Sequence, residues 1–222
     1  MRFEGVLYPL WYIISKNMST SADEIVMAFV GRMGSGKTLN MTKWAIIFAQ
    51  LSNRQIYANY KINHPQAHYF KSYKELNDVH NAIICYDEIS VDHDSRSWDS
   101  KGQQQFTHWF LQTRKLHCSF FYTAQRVNSL EKRIRENTLY FIKCTKKIVA
   151  NRPNFYEDLF DTQEGFEMAI HLKKFVLTTP QLIYRFYNTD EIIKDNFYAK
   201  PTTNYRKKQY TYRKQETEEE EE

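Results

Sequence analysis

No segment of this sequence is long and apolar enough to cross a bilayer as a helix, which takes about 20 such residues. The nearest approach, Val6-Leu7-Tyr8-Pro9-Leu10-Trp11-Tyr12-Ile13-Ile14, is short and broken by Pro9. The same end lacks the basic start and small-residue cleavage site of a secretory signal. Cysteine is scarce: Cys85, Cys118 and Cys144 are widely spaced and form no C-x-x-C pair. They offer no disulfide framework and read as small buried side chains in a reducing compartment. Charge of one sign does not dominate either. With 31 Lys+Arg against 26 Asp+Glu, the net charge of +5 permits contact with a polyanion without requiring it. There is no internal repeat. A soluble intracellular protein is the expectation.

What is present is the composition of one globular domain: 222 residues, 42% hydrophobic, with an aromatic share of 16% drawn mostly from Tyr and Phe. Order is strongest from about residue 24 to 145. Ile25-Val26-Met27-Ala28-Phe29-Val30 is an unbroken apolar run, as a strand buried on both faces requires. After a glycine-rich turn, Thr38 to Gln50 reads as a helix, and Gln55 to Tyr60 as a second strand. Ser72 with Glu75 makes a capping box that opens a short helix through Val79. Ala82 to Tyr86 reads as a third strand and residues 90–101 as a polar loop. Gln103 to Leu116 reads as a helix and Ser119 to Tyr122 as a fourth strand. A short basic helix from Leu130 to Glu136, capped by Ser129, leads to a fifth strand, Leu139 to Cys144. Strands alternating with helices predict a mainly parallel sheet covered on both faces.

Residues 146–190, punctuated by Pro153, Gly165 and Pro180, carry no clear periodicity. From about 195 the pattern is lost. A basic, Tyr-containing stretch runs into Glu216 and Glu218 to Glu222, which reads as a disordered tail. The expected organisation is an extension over 1–23, a domain over 24–194 and a tail over 195–222.

Gly31-Arg32-Met33-Gly34-Ser35-Gly36-Lys37-Thr38 matches G-x-x-x-x-G-K-[ST] in full. Glycines let the backbone turn its N–H groups inward as a nest for phosphate oxygens. The helix that follows presents its positive end to the same group. Lys37 would then bridge the β- and γ-phosphates of ATP, and the Thr38 hydroxyl would ligate Mg²⁺. The pattern alone can arise by chance, but here it follows an apolar strand and opens a helix, as the mechanism demands. Ile83-Ile84-Cys85-Tyr86-Asp87-Glu88 supplies the second half. A strand ending in a carboxylate puts Asp87 at the carboxyl edge of the sheet, where it would hold Mg²⁺ through water and Glu88 would act as general base. Ser119 to Gln125 is another apolar strand with a polar end, and its Gln125 can sense the γ-phosphate or orient water.

These motifs resemble the FtsK/HerA superfamily of P-loop ATPases, and within it the zonular occludens toxin-like proteins. The likeness covers about residues 24–145. It rests on the Gly31–Thr38 loop, Asp87-Glu88, Arg114 in Gln112-Thr113-Arg114-Lys115, and Thr123-Ala124-Gln125, with Ser95-Arg96 and the Arg133 and Arg135 stretch in support. Ala124 between Thr and Gln departs from the family's adjacent pair, and Gln125 is taken as the match rather than Thr123. The resemblance implies a RecA-like fold, an oligomeric ring (often a hexamer) that moves double-stranded DNA, and an arginine acting in trans. Arg114 is the first choice for that arginine, with Arg96, Arg133 and Arg135 behind it. It also implies a viral or phage motor in the host cytoplasm or virion. Genome packaging is the leading role, with a capsid or membrane assembly protein as partner. Phage assembly or export at a membrane, or a nucleotide-dependent binding switch, are the alternatives.

Other groups were weighed against plainer readings. His64 and His68 are four apart, but Pro65 and the lack of a nearby Cys or acid speak against zinc. Asp92, His93 and Asp94 form either a solvated loop or a contact to Mg²⁺ or a neighbouring subunit. Cys118 beside His117 shows no activating arrangement. Lys132, Arg133, Arg135 and the basic part of the tail are candidates for sequence-neutral phosphate contacts. The terminal glutamates either compete for those cations or solubilise the end.

Overall fold

Why the apolar runs pair as they do is visible in a computed structural model, which describes residues 24–89, 101–162, 165–177 and 181–187. The N-terminal extension, the Asp92-His93-Asp94 cluster, Ser95-Arg96 and the tail lie outside the described residues. Val26–Val30 forms strand β1 and Lys37–Ser52 helix α1. Gln55–Ala58 is β2 and Ala67–Tyr69 is β3. Ala82–Tyr86 is β4, Lys101–Gln112 helix α2, and Ser119–Ala124 is β5. Lys132–Glu136 is the short helix α3. Tyr140–Val149, Arg152–Asp161 and Ile170–Leu177 are β6, β7 and β8, and Gln181–Tyr184 is α4.

All eight strands make one sheet in the order β3-β2-β4-β5-β1-β6-β7-β8. The first six in that order run parallel; β7 is added antiparallel to β6, and β8 antiparallel to β7. Strand β5 therefore sits between β1 and β4, the two strands whose ends carry the glycine loop and the Asp87-Glu88 pair. Helix α1 covers one face, where Phe48 meets Phe121 edge-on at 5.3 Å. Helices α2 and α3 cover the other, burying Phe106, Trp109, Phe110 and Ile134 against Ala28, Ile84, Phe120 and Tyr122. The high aromatic content is spent there: Phe120 stacks edge-on with Phe110 at 5.1 Å and Trp109 at 5.9 Å. Helix α1 is buried nearly all round because α4 flanks it as well as the sheet, whose strand β7 reaches Lys43 and Trp44 through Glu157.

Several expected boundaries move. The helix expected over Gln103–Leu116 spans Lys101–Gln112, which leaves Arg114 in the connection to β5. The capping box of Ser72 and Glu75 is present, but it opens a single 3₁₀ turn, Tyr73–Leu76. Helix α3 is capped by Glu131, whose carboxylate accepts the Ile134 N–H at 3.2 Å, rather than by Ser129. The fifth expected strand runs on to Val149, and Arg152–Asp161 and Ile170–Leu177 complete a three-stranded antiparallel extension with it. Among the described residues no helix is long and apolar enough to cross a membrane.

Candidate functional site

The glycine loop is shaped by what lies beneath it. A Cβ on Gly31 would stand 2.5 Å from both the Cys144 carbonyl oxygen of β6 and Ser35 Oγ. Gly36 has φ of 86°, and a Cβ there would stand 2.4 Å from Cδ1 of Phe155 on β7. No side chain fits at either position, so β6 and β7 form the floor of the loop. Lys37 is buried and its Nζ donates to the Arg32 carbonyl at 3.4 Å, spanning the loop from within. Ser35 Oγ is buried with no hydrogen-bond partner among the described residues. Arg32, Met33 and Gly34 are exposed or nearly so above it.

The acid strand meets this loop through one residue. Thr38 Oγ1 donates to the Asp87 carboxylate, at 2.9 Å from Oδ1 and 3.1 Å from Oδ2. Asn59, just past β2, holds the Asp87 backbone on the other side: it accepts the Asp87 N–H at 2.7 Å and donates to its carbonyl at 3.1 Å. Burial pushes the Asp87 carboxyl above the usual carboxylate range, against the opposing pull of hydrogen bonds from Thr123 and Thr38. The charge of Glu88 adds to the rise, while that of Lys37 opposes it. This is a carboxylate short of positive charge, facing a hydroxyl.

Thr123 is the residue that sequence reasoning passed over. It is fully buried in β5, donates to Asp87 Oδ1 at 2.6 Å, and accepts the Glu88 N–H at 2.7 Å. Glu88 itself is exposed with φ of 53°, a left-handed conformation that costs a residue with a Cβ about 1 kcal/mol or more. One hydroxyl thus ties together the carboxylate of one acid and the strained backbone of the next. Gln125, the residue expected to reach the site, is exposed one position beyond β5, on the same edge as the loop, where Gly31 N–H reaches the Ala124 carbonyl at 3.3 Å. The signal for Thr123 was its place in the strand, since only strand order shows that β5 lies between the other two.

Gly31 through Thr38, Asp87 and Glu88 lie together at the carboxyl edge of the sheet; Arg114 does not join them. It is exposed and pairs with Glu24 at 3.4 Å, ahead of β1, whereas the glycine loop follows β1. Seven residues of extended chain separate those ends by about 20 Å. His117 shares Glu24 with it at 2.6 Å. His68 faces Gln55 and stacks on Tyr57 at 5.0 Å, while His64 turns to Gln66 and Phe186, so the two histidines do not converge. All three cysteines are buried.

The donor set fits a magnesium nucleotide. A loop that a Cβ would fill, an orphaned Ser35 hydroxyl and a buried ammonium suit phosphate oxygens. An all-oxygen pair, Thr38 and Asp87, suits a hard cation that keeps most of its shell from water and phosphate.

No protein-family model and no curated protein sequence matches this chain. Solved structures do. The N-terminal domain of zonular occludens toxin from Neisseria meningitidis superposes with a TM-score of 0.51 at 18% identity, over 74% of this chain and 98% of that one. The genome packaging NTPase B204 from Sulfolobus turreted icosahedral virus 2, in complex with ATP-gammaS, gives 0.45 at 12% identity, over 68% and 97%. The flagellar accessory protein FlaH from Methanocaldococcus jannaschii gives 0.44 at 11% identity, over 74% and 91%. At such identities likeness speaks to architecture, and with the mainly parallel sheet it makes this chain a RecA-like P-loop NTPase fold.

Proposed function

We propose that this chain is an ATP-hydrolysing motor of the FtsK/HerA type that moves double-stranded DNA, with genome packaging as its leading role. The observation that carries the ATPase reading is the Thr38–Asp87 contact, which closes the phosphate loop onto the acid strand. The loop amides from Gly31 to Gly36 hold the phosphates, and Lys37 offsets their charge. Thr38 and Asp87 would hold Mg²⁺, which when bound draws charge from the phosphate oxygens. Glu88 orients the attacking water and takes its proton as the water oxygen bonds to the γ-phosphorus and the bond to the bridging oxygen breaks. Thr123 sets the position of Glu88 through its backbone. Gln125 flanks the loop and is assigned to the γ-phosphate.

Arg114 is too far from its own loop to serve it. In a ring it would reach the γ-phosphate held by the next subunit, where an arginine contributes several orders of magnitude in rate. The domain doing this work is assigned to 24–194.

A second reading, an export or assembly ATPase working with membrane partners, draws on the likeness to the zonular occludens toxin domain, which spans nearly all of that domain. ATP hydrolysis measured with and without duplex DNA separates the two, since a translocating motor is stimulated by its track. Lack of stimulation moves the assignment to export, and lack of turnover to a binding switch. Mixing Arg114→Ala with Lys37→Ala, each inactive alone, should restore activity in part, because an intact loop then meets an intact arginine at some interfaces. Mixed oligomers that stay inactive at every ratio would remove Arg114 from the trans role.

A further inference from the structure

The antiparallel extension formed by β6, β7 and β8 has two unlike faces. On one, Cys144, Glu157 and Phe175 lie in register and pack against α1. Glu157 is fully buried, and its carboxylate accepts from Lys43 Nζ and, at 2.9 Å, from Trp44 Nε1. Trp44 also meets Phe175 edge-on at 6.2 Å, and Phe155 lies under Gly36. This face ties the extension to the phosphate loop.

The opposite face carries Lys143, Lys147 and Arg152, with Lys174 beside them, and all four are exposed. Their shared face follows from the register, in which Lys143 opposes Asp158, Lys147 opposes Asn154, Arg152 opposes Val149, and Asp158 opposes Lys174. Asp158 is the acid among those positions, and it is engaged by His171 at 3.4 Å and Lys174 at 3.8 Å. Lys147 and Lys174 both stand over one ring, Tyr156, at 5.5 and 5.4 Å. The pairing of β6 with β1 ends at Lys143, so Cys144 to Val149 run on past the carboxyl edge of the parallel sheet, beside the glycine loop. From Lys143 to the Val149–Arg152 pair the cations run about 20 Å along the strand.

We propose that this face is a binding surface for the sugar-phosphate backbone of duplex DNA, an assignment that rests on the DNA-moving reading above. Cations of one sign, strung in a line along a rigid strand, match a polymer whose phosphates repeat about every 3.4 Å of axis on each strand. Charge in a row along the strand suits sequence-neutral contact with phosphates. Because the reverse face grips Lys43, Trp44 and the underside of Gly36, force on the DNA and the state of the nucleotide loop act on the same two strands.

The test is a salt titration of the full chain against a short fluorescent duplex, followed by anisotropy. Exchanging Lys147 and Lys174 together for Gln is expected to lower the slope of log affinity against log salt by about 2, near 0.9 for each lost phosphate contact. Affinity at about 0.1 M salt should fall by roughly tenfold or more. A Lys143→Gln, Arg152→Gln pair should do the same. Lys71→Gln with Lys74→Gln, the same change of charge following edge strand β3, should leave the slope unaltered, and the thermal shift with Mg-ATP should persist in all three. An unchanged slope in the hairpin variants, with wild-type protein still stimulated by DNA, overturns this surface and leaves the motor reading standing. Equal losses in the control pair overturn it as bulk charge. Loss of binding to phosphatidylserine vesicles with duplex binding intact overturns it in favour of a membrane. A wild-type chain that binds no duplex even at about 50 mM salt takes the motor reading down with it.

Discussion

Replacing Lys37 by Ala is expected to abolish ATP hydrolysis while leaving the chain folded. The ammonium is buried inside the loop and donates to the Arg32 carbonyl at 3.4 Å, apart from the packed core. What it faces is the space where phosphate charge would sit. Nucleotide at about 100 times its dissociation constant stabilises a native domain by about 2.7 kcal/mol. In a chain of this size that corresponds to a rise in melting temperature of about 5–10 °C. The wild-type protein should show this rise with Mg-ATP, and Lys37→Ala should show little or none. Purified Lys37→Ala that still turns over ATP would remove the phosphate-loop assignment altogether.

The second large effect separates chemistry from binding. Glu88→Gln retains the shape of an exposed side chain and removes a base, so ATP should still raise the melting temperature while hydrolysis falls by roughly 10²-fold or more. Thr123→Val should resemble it for a different reason. Valine fills the same buried space but leaves the Glu88 N–H without its 2.7 Å acceptor and Asp87 without its 2.6 Å donor. Turnover should fall with little change in KM, at a stability cost of about 1–3 kcal/mol for the stranded groups. Thr123→Ser, which retains the hydroxyl, should restore most of the rate. If Thr123→Val hydrolyses ATP as the wild type does, the hydroxyl does not position Glu88. If Glu88→Gln does so, Asp87-Glu88 is no more than an acidic strand end.

Much of the candidate site was legible because its information is local. A glycine loop between a buried strand and a helix declares itself in eight consecutive residues, and the required conformations follow from residue type. Asp87-Glu88 was legible for the same reason, since the carboxyl end of an apolar strand in an alternating pattern is a defined place. The parallel class of the sheet also followed from the alternation of runs.

Less was legible where pairing over distance decides. Strand β3 is three residues on an edge and leaves no periodic signal. The β6–β7 hairpin escaped notice because its two-residue turn is Ala150-Asn151, at φ of 50° and 59°, rather than the Asn-Gly that normally announces positive φ at both positions. Without that turn, the alternation of buried and exposed residues along β7 had no partner to be read against.

What the chain order by itself determined is therefore the phosphate loop, the acid pair and the kind of sheet that carries them, each a matter of neighbouring residues and their backbone preferences. What only the tertiary structure decided is which side chains share a point in space. Setting β5 between β1 and β4 brought Thr123, inside the strand, into contact with Asp87, while Gln125 stands exposed one position beyond the strand's end. The length of β1 carried Arg114 to the far edge, and folding β7 back along β6 brought Phe155 under the glycine loop and Glu157 against α1, each more than a hundred residues before them.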